Sequence, residues 1–390
     1  MAVDPGKHLI ARWRAGQPGD VALLKAAKVD AVWLEVPQPE FASACTAAGL
    51  AVTDKLETVK GGLWPGIRSA GKRRTPDGEV SSASSEPWVD SNGYLVACQR
   101  TLEPQKPPLL GYGSADAAAR MVAFETLEIA LAEACMMGGN FALQLEDRYL
   151  KALRSGEAKA VAAWGKLGRT ATWLKENRSL FGAPAMPTIA ALYDGRPASR
   201  ELVNLLFRRN ASPWVVASAP PVSVQTKAVV AASISPPADK AAILAHAAAG
   251  AMVIVDGDWW RDPAAKLTKP EEDREFYALG KGQIVAYRKR IADPSEFALD
   301  VIDLVTHRQR PLRLWNAPAI IGTRSTNVLT LLNYGVSVPE DIQAHVLGHY
   351  TRAMLYAPGA APMPLKVAKR AAMTEVFVPK LERACAIAFS

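Results

Sequence analysis

"ADKAAILAHAAAGAMVIVDG", residues 238–257, is the stretch on which the fold turns. Ten residues of Ala, Ile, Leu, Lys and His run without a helix breaker and stop at Gly250, the residue that most readily closes a helix. The "AMVIV" that follows is a short continuous apolar run, the mark of a strand covered on both faces as in a parallel sheet. The same grammar extends outward. Upstream lie "TIAALY" (188–193), the helical "ASRELVNLLFRRN" (198–210), "PWVVAS" (213–218) and "VVAASI" (229–234); downstream lie "GQIVAYRKR" (282–290) and the helical "PSEFALDVIDLVTHRQ" (294–309). Together they predict a small open α/β domain with a flavodoxin-like parallel sheet over 184–310, entered through the helix-breaking linker "FGAPAMP" at 181–187.

The 390 residues exceed what one core usually organises, about 250 to 300, so further domains are expected on either side. Over 1–183, short apolar runs alternate with helical patterns: "HLIARW", "AVWLEV", "LAVTDKL", "PWVD", "PPLLGY", "RMVAF" and "NFALQLE" are the strands of this reading. Such alternation implies parallel strands with right-handed crossovers. About eight of them would close a compact (β/α)8 TIM-like barrel, in fewer residues than the usual ~250. From 311 to 390 the pattern becomes strands separated by turn residues, which predicts a C-terminal β-sandwich. The fold class expected is therefore α/β multidomain.

Composition removes several functions. No apolar run approaches the ~18 to 20 residues that span a bilayer, so no membrane span is expected. The net charge of +8 is spread along the chain, its densest cluster being "GKRR" at 71–74, and no zinc-finger or RNA-binding signature accompanies it, so nucleic acid is not an expected partner. Cys45, Cys98, Cys135 and Cys385 are far apart in apolar surroundings and read as buried free thiols. "GYGSADAAAR" (111–120) has Asp116 where a dinucleotide fingerprint needs its third glycine, and "HVLGH" (345–349) lacks the glutamate of a zinc helix. Neither an organic cofactor nor a metal is expected. There is no GxSxG elbow. The N-terminus lacks the layout of a secretory leader, which leaves the compartment open between cytoplasm and export.

Three features occur together: acids at strand ends in the first domain, "AAILAHAAAGAMVIVDG" in the second, and "LLNYG…AHVLGHYTRAMLYAPG…TEVFVPKL" in the third. In that order they resemble the β-galactosidase-like glycoside hydrolases. The resemblance implies a catalytic TIM barrel, a glutamine-amidotransferase-like domain and a small β-domain, acting on carbohydrate without a cofactor. That family's Asn-Glu pair is missing, since Asn92 is followed by Gly93. The middle domain holds none of the four cysteines, so a structural or homo-oligomer-forming role is what the resemblance implies for it, rather than glutaminase activity.

Glycosidic cleavage needs two carboxyl groups, one to protonate the departing oxygen and one to act as nucleophile or to activate water. In a barrel they project from the carboxyl ends of strands. Within "SSASSEPWVDSNGYLVACQ" (81–99), Glu86 and Asp90 flank "PWV"; Glu125 follows "MVAF", and Glu146 ends "NFALQL". Asp90 or Glu86 paired with Glu125 is the expected catalytic set, with Glu146 in reserve. Each would serve equally to cap a helix start. Trp88 and Trp64 offer flat indole faces to a sugar ring, while Glu35 and Asn92 are further substrate-binding candidates, Asn92 doubling as a helix cap. Trp259 and Trp260 are expected over a domain junction. The expected function is carbohydrate cleavage by paired carboxylates, with an acidic glycan suggested by the charge. The alternative is a glycan-binding or assembly protein whose barrel has lost its acid pair.

Overall fold

The computed structural model describes residues 2–61, 64–68, 88–112 and 122–390. Its first sheet is built from β1 (Ile10–Arg12), β2 (Ala31–Trp33), β3 (Ala51–Thr53), β4 (Val59–Lys60), β7 (Leu109–Gly111) and β8 (Asn140–Gln144), in the order β3-β2-β1-β8-β7-β4 and parallel throughout. Between β4 and β7, β5 (Gly66–Arg68) and β6 (Trp88–Asp90) pair antiparallel with each other.

The expected eight-stranded barrel is thereby corrected. Of the expected strands, "PWVD" leaves to form a ribbon with Gly66–Arg68 and "RMVAF" gives no strand over its described residues 122–124, while Val59–Lys60 adds a short one. Six short parallel strands make the sheet, and among the described residues it does not close. Its free edges, β3 and β4, are consecutive in the chain. Thr53 and Val59 are six Cα steps apart, a reach of at most about 20–22 Å. The edges of a flat six-stranded sheet lie about 24 Å apart. The sheet must therefore curl, as a barrel left unzipped at one seam.

The helices of this region are α1 (Val21–Ala26), α2 (Pro39–Ala47), α3 (Gly93–Leu102), α4 (Thr126–Met136), α5 (Asp147–Arg154) and α6 (Ala158–Glu176). One face of the sheet carries a small cluster of Ile10, Ala31, Trp33, Ala51, Leu109 and Ala142. The other buries Ala11, Val32, Leu110, Phe141 and Leu143 with the helices. In α4 every residue except Cys135 is buried, two glutamates included. Gly138, at φ +81°, lies against Gly182: a Cβ on Gly138 would come within 2.3 Å of the Gly182 Cα. Arg100 donates to the carbonyls of Met137 and Gly182 at the same crossing.

The middle sheet contains β9 (Ile189–Leu192), β10 (Trp214–Val216), β11 (Ala228–Ala231), β12 (Met252–Asp256), β13 (Lys266–Pro270), β14 (Arg274–Leu279) and β15 (Gly282–Tyr287). Its order is β10-β9-β11-β12-β15-β14-β13, and the first five strands are parallel. The start of this order is that of flavodoxin-type sheets. α7 (Pro197–Arg208), α8 (Lys240–Ala249) and α9 (Pro294–Leu304) accompany it. The deciding stretch behaves as its residues dictate: the Asp239 carboxylate accepts from the Ala242 N–H at 3.0 Å, and Gly250 ends the helix at φ +115°. Trp260 is buried on this sheet, its ring 4.7 Å from that of Tyr277, in a cluster drawn from the middle region, so the expected placement over a domain junction is corrected.

Toward the C-terminus two antiparallel sheets enclose one apolar cluster. One joins β16 (Leu312–Trp315), β19 (Glu340–Leu347), β23 (Met373–Lys380) and β22 (Val367–Arg370); the other joins β17 (Ile320–Arg324), β18 (Val328–Asn333), β24 (Ala384–Phe389), β20 (Ala353–Tyr356) and β21 (Met363–Leu365). Outer residues of the second sheet, among them Ile321, Leu332 and Tyr334, join the core of the N-terminal region. Among the described residues no helix is long and apolar enough to cross a membrane. No group of three or more His, Cys, Asp or Glu among them is placed to hold a metal.

Candidate active site

A cavity of about 950 Å³ opens between the N-terminal region and the C-terminal sandwich. Trp64, Asp90 and Glu125 line it from one side, Lys166 and Arg169 from α6, and Lys380 to Ala384 from the sandwich. Three residues singled out in the sequence thus meet in one space, reached by different routes. Asp90 ends the antiparallel ribbon opposite Gly66, so it does not stand at the end of a barrel strand as expected. Glu125 immediately precedes α4 without capping it through its side chain. Trp64 follows β4 and stacks on Tyr112, which follows β7, with centroids 4.1 Å apart and planes at 20°.

The other expected residues have different duties. Glu86 lies outside the described residues. Trp88 is 39% exposed and carries the Arg208 guanidinium over its ring at 3.5 Å, which turns it toward α7. Glu35 is held by Arg12 at 2.5 Å. Arg12 also donates to Gln144 Oε1 at 2.8 Å and to the Tyr112 carbonyl at 3.0 Å, and stacks on Trp33, so a cation closes the carboxyl end of the sheet. Burial raises the Glu146 carboxyl above its ordinary range, against the opposing effects of the Val122 N–H and the Arg148 charge. His345 pairs with Glu375 at 3.1 Å.

Asn92 is buried and does not cap α3 with its side chain. It serves Glu133, a residue the sequence reading passed over. Glu133 Oε2 accepts from the backbone N–H of Asn92 at 2.8 Å and of Gly93 at 3.3 Å, and from the Tyr334 hydroxyl at 3.0 Å. Asn92 Nδ2 donates to Glu133 Oε1 at 3.3 Å and to the Tyr112 hydroxyl at 2.7 Å. Burial pushes the carboxyl up to about 7, and these hydrogen bonds restrain the rise. One turn and a half earlier, Glu128 accepts from Thr170 Oγ1 at 2.6 Å and pairs with Arg383 Nε at 3.6 Å. Both glutamates were visible in "TLEIALAEACM", a helix with no polar face in which any charge must be buried.

The sequence matches no protein-family model and no curated protein. Solved structures do share the fold. An α-L-fucosidase isoenzyme 2 from Paenibacillus thiaminolyticus matches over 95% of this chain and 80% of its own, at 10% identity and a TM-score of 0.53. A β-galactosidase from Bacillus circulans sp. alkalophilus matches over 80% of this chain and 59% of its own, at 10% identity and a TM-score of 0.52. In fold the chain is similar to these two glycoside hydrolases, in line with the resemblance read from the sequence.

Proposed function

We propose that the chain is a glycoside-hydrolase-like protein that binds a carbohydrate in the cavity between its N-terminal region and its C-terminal sandwich, and cleaves a glycosidic bond there with Asp90 and Glu125. In this reading residues 1–183 are a reduced TIM-type catalytic domain, 184–310 an amidotransferase-like domain and 311–390 a β-sandwich. The observation that carries it is the convergence of Asp90, Glu125 and Trp64 on one cavity of about 950 Å³, wide enough for an oligosaccharide segment. The fold likeness to an α-L-fucosidase and a β-galactosidase supports the substrate class. One carboxyl would protonate the leaving oxygen while the other attacks or activates water. Lys166 and Arg169 on the facing wall suit a substrate bearing carboxylate or sulfate.

A second reading is glycan binding without cleavage. Asn92, where the resemblance would place an amide next to a catalytic acid, is followed by Gly93 and engaged with Glu133. The test is product release from neutral and acidic polysaccharides and from 4-nitrophenyl glycosides, comparing the unmodified protein with Asp90→Asn and Glu125→Gln. Cleavage lost in both folded variants supports the hydrolase. Saturable binding with no turnover on any substrate supports the second reading, and neither binding nor turnover overturns both.

A further inference from the structure

The geometry points to Glu133 as a positioning residue: we infer that it holds the Asp90 turn and the Trp64 wall in place from below, and that its charge state couples both to the C-terminal sandwich. The functional meaning rests on the carbohydrate reading of the cavity; the coupling itself does not. Glu133 Oε2 gathers the backbone N–H groups of Asn92 and Gly93, the two residues that begin α3 just after Asp90 and Ser91. The Asn92 amide has two hydrogens to give; one goes to Glu133 and the other to the Tyr112 hydroxyl. Tyr112 is the ring on which Trp64 lies at the cavity wall. From the opposite side the Tyr334 hydroxyl, on the sandwich, donates to the same Oε2.

The four hydrogen bonds that reach Glu133 itself all donate to its carboxylate. Among the described residues no Lys, Arg or His forms an ion pair with Glu133; the titratable groups that face it are Tyr112 and Tyr334, with Tyr94 on α3 further off. A proton on Oε2 would oppose two backbone N–H groups and a hydroxyl, so Oε1, which meets only the Asn92 amide at 3.3 Å, is the oxygen that takes it. The amide must then turn, disturbing its bond to Tyr112, while the bonds to the Asn92 turn and to Tyr334 weaken with the loss of charge on Oε2. Burial places this event close to neutrality, with the carboxyl at about 7. A cavity of about 30 Å³ bounded by Ser91, Glu133 and Tyr334 has room for water, which gives the proton a way in.

The experiment follows near-ultraviolet circular dichroism of the full chain from pH 5 to 9 for the unmodified protein, Glu133→Gln and Tyr334→Phe. A second arm measures affinity for 4-nitrophenyl glycosides over the same range. The unmodified protein should show one aromatic transition near pH 7, and Glu133→Gln none. Tyr334→Phe removes a donor that favours the ionised form, so the midpoint should move up, by about half a unit to one unit for one hydrogen bond. A merely structural contact would not move a midpoint. A transition unchanged in Glu133→Gln, or an unshifted midpoint in Tyr334→Phe, overturns the assignment, and the second variant keeps the test decisive if the first does not fold. Absence of glycoside binding at every pH would sink the carbohydrate reading while leaving the dichroism to decide the coupling.

Discussion

Two carboxylates with nearly equal hydrogen-bond counts are driven in opposite directions. Glu133, under the cavity, is pushed up to about 7 because it is enclosed and has neutral donors only. Asp194, just beyond β9 in the middle region, is also penalised by burial, yet hydrogen bonds from Ser199, the Ser235 and Arg196 N–H groups and the Arg196 guanidinium draw it down to about 2. The difference is the cation and the exposure: Asp194 pairs with Arg196 and keeps part of its side chain in solvent, and Glu133 has neither. At the carboxyl edge of the regular middle sheet, polar groups are consumed by one another, Asp256 likewise accepting from the Ser233 N–H. In the N-terminal region, where strands are short and the sheet stays open, Asp90 and Glu125 instead line a cavity.

The strongest way to break this contrast is to exchange the acids of the two regions in a cleavage assay. Asp90→Asn or Glu125→Gln should lower turnover by about 10²- to 10⁴-fold, the usual worth of a general acid or base. Asp194→Asn should leave it within about twofold. Equal losses at both places would remove the contrast.

Next in size is the pH dependence of unfolding. Because Glu133 holds its proton more tightly folded than unfolded, its contribution is complete below about pH 4.5 and is lost as pH rises to about 7. The shift corresponds to about 3 kcal/mol, seen as a falling denaturant midpoint between pH 5 and 8 and a flat one in Glu133→Gln. Asp194 acts with the opposite sign: its contribution is present above about pH 4 and is lost as pH falls toward 2, so Asp194→Asn should flatten only the acid limb.

A crowding comparison sharpens the picture at smaller scale. Gly138→Ala would meet Gly182 and Arg100 at a left-handed φ and should cost about 2–3 kcal/mol in denaturant unfolding. Gly257→Ala, at φ +71° in the middle region with nothing within 4 Å, should cost about 1 kcal/mol.

The middle region was the most legible in the sequence because its rules are local. Asp239 caps, Gly250 stops, and "AMVIV" can only be a covered strand. The first region misled where the outcome depended on partners far away in the chain. "PWVD" has the composition of a barrel strand, and nothing within it says that it will pair antiparallel with Gly66–Arg68. Asp90, Glu125 and Trp64 could be picked out by residue type, but that they line one cavity could not, since Asp90 comes to it from the ribbon and not from the rim of a barrel. Glu133 was missed because its importance lies in Tyr334, some two hundred residues later, although a lone acid amid alanines was itself the signal.

The helix carrying that acid has a further consequence, for how the chain comes into being. α4 is covered by its own sheet, by α6 and, on a further side, by β18 of the sandwich and Tyr334, which are made late. As the protein emerges from the ribosome, the opening part of the chain therefore carries an apolar helix with two carboxyl groups, part of whose shelter has yet to be synthesised. The N-terminal half must wait, loosely assembled and exposed to misassociation, until the final strands arrive to complete it.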